Sequence, residues 1–142
     1  MAAYLLDADV LLAVRKGAAG PSGIAGFFER VPPELRYLPV QTIAAVRAGI
    51  RRLWAREQAV EALALESWLE EVLQQYAARL VEFDLDSALV WGRLQQPDGG
   101  ALAAQIAAMA IAHEMTAVSG RLDGFVAQGL RLENPFAGPA GA

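Results

Sequence analysis

Very short apolar runs alternate with longer stretches of helical periodicity, and this order constrains the fold more than any other feature of the chain. Tyr4-Leu5-Leu6 stops at Asp7, and Arg36-Tyr37-Leu38-Pro39-Val40 reads as a second short strand. Leu80-Val81-Glu82-Phe83, Thr116-Ala117-Val118 and Leu130-Arg131-Leu132 supply a third, fourth and fifth. The intervening segments predict helices over 10–16, 24–30 and 42–56, a longer one from Glu57, then 87–96 and 101–114. In the long helix Val60, Leu63, Leu65, Trp68, Leu69, Val72, Leu73 and Tyr76 recur at helical spacing. Strands separated by helices imply a parallel sheet covered by helices on its faces. The expectation is an α/β domain of three layers, α/β/α, around a short, mainly parallel five-stranded sheet. Residues 1–136 form that domain, and the Gly/Ala/Pro-rich 137–142 form a flexible tail.

Composition narrows the function classes. Of the 142 residues 55% are hydrophobic and 20% charged, which excludes disorder as the main state. The absence of cysteine removes disulfides, zinc ribbons and thiol nucleophiles. A net charge of −4 predicts no general attraction to nucleic acid. The long uncharged run Gly99 to His113 is shorter than the ~20 residues a membrane span needs. The N-terminus has no basic start, and Asp7 and Asp9 interrupt its apolar stretch, unlike a signal peptide. The expected location is therefore the cytoplasm, with no membrane partner.

Ligands of such sheets bind beyond the carboxyl ends of the strands, so chemistry is sought there. Asp7 and Asp9 follow the first strand, where carboxylates can hold a hard metal ion. Equally, the two can satisfy free amides of the next helix. Arg47, Arg51, Arg52 and Arg56 share one helix. Arg47 and Arg51 are candidates for binding RNA phosphates or an acidic partner; the plainer reading pairs this face with glutamates of the next helix, such as Glu57 and Glu61. His113 does not form a zinc pattern and reads as the end of its helix. The glycines at 17, 20, 23 and 26 match no phosphate-cradling motif. Trp54, Trp68 and Trp91 sit at apolar-periodic positions and read as core or interface residues.

Several segments in order carry a family resemblance: Leu5-Leu6-Asp7-Ala8-Asp9-Val10-Leu11, Arg15-Lys16-Gly17, Val31-Pro32-Pro33-Glu34 and Tyr37-Leu38. They continue in Thr42 to Ile50, Leu65-Glu66-Ser67-Trp68-Leu69, Phe83-Asp84 to Leu94, and Asn134-Pro135-Phe136. The chain resembles the PIN-domain toxins of the VapC and FitB kind, the nuclease halves of bacterial toxin–antitoxin pairs. The resemblance implies a five-stranded PIN fold, a homodimer, a small antitoxin-like protein partner, and descent from Mg- or Mn-dependent endoribonucleases. In that family three or four acids bind the metal that lowers the pKa of the attacking water.

Position by position, the resemblance makes Asp7 the retained family acid and the metal ligand if there is one. Asp9 stands where the family has asparagine. Ala45 takes the place of the second acid and Ala103 that of the third. Arg121 and Gly124 occupy the two positions available to the fourth. Asp9 and Asp123 are the candidate substitutes. With three of four acids replaced, the reading favours an impaired nuclease, without tightly bound metal, that acts by binding an antitoxin, a toxin or RNA. The alternatives are an active Mg- or Mn-dependent endoribonuclease using Asp7, Asp9 and Asp123, and a decayed remnant with no selected activity.

Overall fold

The computed structural model describes residues 2–17, 20–95 and 100–137. Five strands, β1 (Tyr4–Leu6), β2 (Arg36–Pro39), β3 (Leu80–Val81), β4 (Thr116–Val118) and β5 (Arg131–Glu133), form one sheet in the order β3-β2-β1-β4-β5. Every pairing is parallel, so the sheet is wholly rather than mainly so. Among the described residues six α-helices connect or flank the strands: α1 (Ala8–Arg15), α2 (Ser22–Arg30), α3 (Val40–Ala55), α4 (Ala59–Gln75), α5 (Leu85–Trp91) and α6 (Ala101–Ala112).

Alternation along the strands sorts the core into two faces. Leu6, Leu38 and Val118 point to one side, where they meet Val10, Leu11, Ile24, Phe27, Val72 and Tyr76 from α1, α2 and the end of α4. Leu5 and Ala117 point to the other and meet Ala103, Ile106, Ala107 and Ala110 of α6. These two clusters make the expected three layers. A third cluster, Val46, Ile50, Leu65 and Leu69, closes α3 against α4.

Helix boundaries follow caps rather than periodicity alone. Asp7, not Asp9, is the N-cap of α1, so the helix starts at Ala8 instead of Val10. Extended Pro21 and Pro39 let α2 and α3 begin at Ser22 and Val40, two residues earlier than expected. Glu57 adopts a positive φ of 59° and breaks the chain between α3 and α4, which starts at Ala59 instead of Glu57. Asp84 accepts a hydrogen bond from the Ser87 amide, placing the start of α5 at Leu85, and Gly92 caps it well before Gln96. The α6 helix ends at Ala112 with His113 as its cap, not at Glu114. Strand β3 stops at Val81 rather than Phe83 because its partner β2 ends at Pro39 and turns into α3. Strand β5 lies one residue later than expected, since Arg131 is the residue aligned with Thr116.

The buried face of α4 is also narrower than its periodicity predicts. Ala62, Leu65, Leu69 and Val72 are buried, whereas Val60 and Leu63 are 83% and 55% exposed. The expected domain limit at 136 falls inside a short turn, Pro135–Ala137. The rest of the expected tail, 138–142, and the expected break at 97–99 lie outside the described residues.

Candidate functional site

In the order β3-β2-β1-β4-β5 the chain leaves β1 toward one edge and later returns to its other side at β4. The β1/β4 junction is therefore the topological switch point, where the loops diverge and leave a crevice. Asp7 follows β1 there, and Ser119-Gly120-Arg121 follows β4.

Asp7 is fully buried and its carboxylate is saturated. Oδ1 accepts from the Ala8 amide at 2.7 Å and from Arg121 Nη2 at 2.6 Å. Oδ2 accepts from Ser119 Oγ at 2.7 Å and Arg121 Nε at 3.0 Å. A carboxylate offers about four lone-pair sites, and here all are taken. Arg121 grips it in the two-pronged geometry characteristic of arginine, with its side chain 34% exposed. The contact with Asp7 raises the Arg121 pKa further above its ordinary value, outweighing the opposing effect of burial.

Asp9 turns into the same crevice. Its Oδ2 accepts from the amides of Gly120 (2.8 Å) and Arg121 (3.2 Å), and its Oδ1 from the Val10 amide (2.8 Å). Burial is the main cause that raises its pKa above the usual 3.8, the nearby Asp7 adding to it; the three amides pull the other way. The approach of the Gly120 backbone requires a glycine. A Cβ at this position would stand 2.8 Å from the Phe136 ring and 3.1 Å from Asp9 Oδ2. Nearby, Thr42 Oγ1 donates to the Leu6 carbonyl at 2.7 Å and ties the start of α3 to the end of β1. Its neighbour Gln41 donates through Nε2 to Gln105 Oε1 at 3.0 Å, joining α3 to α6 through neutral amides.

The remaining sequence-selected residues lie elsewhere or carry no charge. Ala45 is half-buried on α3, and Ala103 is wholly buried in the apolar cluster under α6. Asp123 and Gly124 are exposed, Asp123 closing a turn through its amide to the Gly120 carbonyl and Gly124 adopting a φ of 80°. Arg47 lies 3.5 Å from Glu66 of α4, so it pairs with a glutamate of the next helix as the plainer reading expects, though with neither Glu57 nor Glu61. Glu66 also accepts from the half-exposed Trp54 indole at 3.0 Å. Arg47 and Arg51 line an open groove of about 490 Å³ on α3 with Ala44, Ala48, Ile50 and Trp54. His113 ends α6, as expected, and lies 2.9 Å from the exposed Asp84.

The comparison with solved structures shows the fold. FitAcB from Neisseria gonorrhoeae superposes with a TM-score of 0.79 at 22% identity, over 94% of this chain and 98% of that one. DNA-bound VapBC from Salmonella typhimurium gives 0.70 at 19% identity, over 95% and 99%. A toxin–antitoxin complex from Klebsiella pneumoniae gives 0.62 at 19% identity, over 94% and 98%. The chain has a PIN-like fold. No protein-family model matches the sequence, and no curated protein matches it significantly.

The PIN-like fold brings with it a test for a divalent ion at Asp7. Magnesium takes carboxylates and waters in near-octahedral geometry at ~2.0–2.1 Å. Among the described residues no three His, Cys, Asp or Glu side chains come together as a metal set. The Asp7 oxygens are already filled, two of their four contacts coming from a guanidinium. As arranged, the residues do not fit a resident divalent ion.

Sequence reasoning singled out Asp7 and Asp9, which the fold brings into one crevice, but missed the Asp7–Arg121 bond and the roles of Ser119, Gly120 and Thr42. One signal was available. A buried acid at a strand end needs a counter-charge, and Arg121 is the cation in the loop after the neighbouring strand.

Proposed function

We propose that this chain is a PIN-domain toxin-like protein with impaired nuclease chemistry that acts by binding a small antitoxin-like protein. The observation that carries the reading is the saturation of Asp7 by Arg121, Ser119 and the Ala8 amide. A carboxylate in that state has no lone pair free to hold a metal or orient a water. The antitoxin partner is carried over from the fold neighbours, one of which is a toxin–antitoxin complex. The groove on α3, with Arg47 and Arg51 beside Ala44, Ala48 and Trp54, supports the same reading, since it suits a segment that is apolar and acidic in turn. A second copy of the chain is a further partner, for which Leu85 and Leu89, one turn apart and exposed on α5, offer apolar surface. Among the described residues no helix is long and apolar enough to cross a membrane, in keeping with a cytoplasmic role.

The test is RNA cleavage by the purified protein with Mg²⁺ or Mn²⁺, set beside Asp7→Asn. The expected result is no cleavage above that of the variant. Metal-dependent cleavage that Asp7→Asn abolishes would overturn the reading in favour of an active endoribonuclease built on Asp7, Asp9 and Asp123.

A further inference from the structure

We propose that the Arg121 guanidinium is the permanent cation of the β1/β4 crevice, standing where a divalent metal would stand and making Asp7 a structural anchor. The inference rests on the PIN-domain reading and names what fills its acidic site.

Three features argue for it. First, the pair is complete by itself: a buried anion meets a guanidinium through two bonds at 2.6 and 3.0 Å, and Ala8 and Ser119 take the remaining lone pairs. Second, the cation is held by its backbone as well as its side chain. The Arg121 and Gly120 amides both donate to Asp9 Oδ2, and the Leu122 amide donates to Ser119 Oγ at 3.3 Å. The loop after β4 is thus fastened to both acids of the loop after β1. Third, the loop cannot easily shift to admit an ion. Gly120 passes between the Phe136 ring and Asp9, and Leu122 is wholly buried against α6. A metal at Asp7 would have to expel Arg121 and find further ligands, where the other acid at hand, Asp9, is already engaged by three amides.

The arrangement makes the two partners unequal. Arg121 is partly exposed and can turn to water when Asp7 is lost, whereas Asp7 cannot leave the interior when Arg121 is lost. Removing one partner of a buried pair is strongly destabilising when it strands the other charge.

Thermal unfolding of the intact chain, with and without millimolar Mn²⁺, tests this on wild type, Asp7→Asn, Arg121→Met and the double variant. Arg121→Met should lower Tm by about 10 °C. Asp7→Asn should lower it clearly less, and the double variant should regain much of the Arg121→Met loss. Mn²⁺ should leave the wild-type Tm unchanged. If Arg121→Met fails to fold, Arg121→Lys keeps the charge without the two-pronged geometry and should fold with a smaller loss. The inference is overturned if the two losses simply add, or if Mn²⁺ raises the wild-type Tm and Asp7→Asn removes that rise. A Mn²⁺-dependent rise without RNA cleavage would sink this inference and leave the proposed function standing. RNA cleavage that depends on Asp7 would sink both.

Discussion

At the residue scale the crevice shows how one position decides what its neighbours can do. Asp7 is the acid that the sequence singles out, yet its chemistry depends on what the loop after β4 delivers, and that loop delivers an arginine. The glycine before it matters for a steric reason. Gly120→Ala places a methyl group 2.8 Å from Phe136 and 3.1 Å from Asp9, so the loop must move and the amide bonds to Asp9 lengthen. The expected cost is about 1–3 kcal/mol, read as a lower midpoint in urea denaturation. Asp9→Asn has the opposite sign. Burial and the neighbouring Asp7 raise the Asp9 pKa, so its ionised form costs stability at neutral pH. Asparagine keeps an oxygen for the Gly120 and Arg121 amides, drops the charge and gives up only the acceptor of the Val10 amide in the first turn of α1, and Tm at pH 7 should rise. A fall in Tm would show that the amides need the full carboxylate charge. The bonds from the loop after β4 to Asp7 and Asp9 could not be read from spacing, because they join residues more than a hundred positions apart. The presence of Asp7 at a strand end could.

At the scale of elements, caps explain what periodicity could not. The α5 start was legible to within two residues, and its true boundary is set by Asp84 accepting from the Ser87 amide. Hydrogen bonding from Ser87, with a smaller contribution from His113, holds the Asp84 carboxyl below its ordinary 3.8. A lowered pKa means that the folded state favours the ionised form. Its stabilisation is full above pH 3.8 and is lost as the pH falls through the lower folded value. Asp84→Ala should therefore melt earlier than wild type at pH 6, and the gap should close in strong acid. A gap of constant size across that range would assign the effect to packing instead. The α6 helix shows the limit of composition. Its alanine-rich stretch reads as helix at once, but that Ala103 lies wholly inside the apolar cluster with Leu5, Ile106 and Leu122 emerges only from packing. Ala103→Asp would bury a carboxylate among hydrocarbons and should cost about 3 kcal/mol or more, seen as loss of cooperative unfolding or of soluble protein.

At the scale of the whole molecule, the alternation of short strands with helices was enough to give the α/β class, the parallel sheet and its three layers, because each strand's two faces must be covered by a crossover helix. The strand order was not derivable from alternation alone. It is the order that creates the switch point between β1 and β4 and so decides which two loops meet. The exposed Val60 and Leu63 of α4 belong to this scale as well. Periodicity placed them in a core, and they lie instead on the surface of the α3–α4 hairpin.

The crevice at Asp7 holds the Arg121 guanidinium against the buried carboxylate. Mn²⁺ is paramagnetic and broadens the amide signals of residues close to it, so titrating it into ¹⁵N-labelled protein reports directly on this crevice. With Arg121 seated on Asp7, the amides of Ala8, Gly120 and Arg121 should broaden no more than those of exposed acidic residues elsewhere on the surface. Selective loss of those three signals at low Mn²⁺, absent in Asp7→Asn, would contradict that seating.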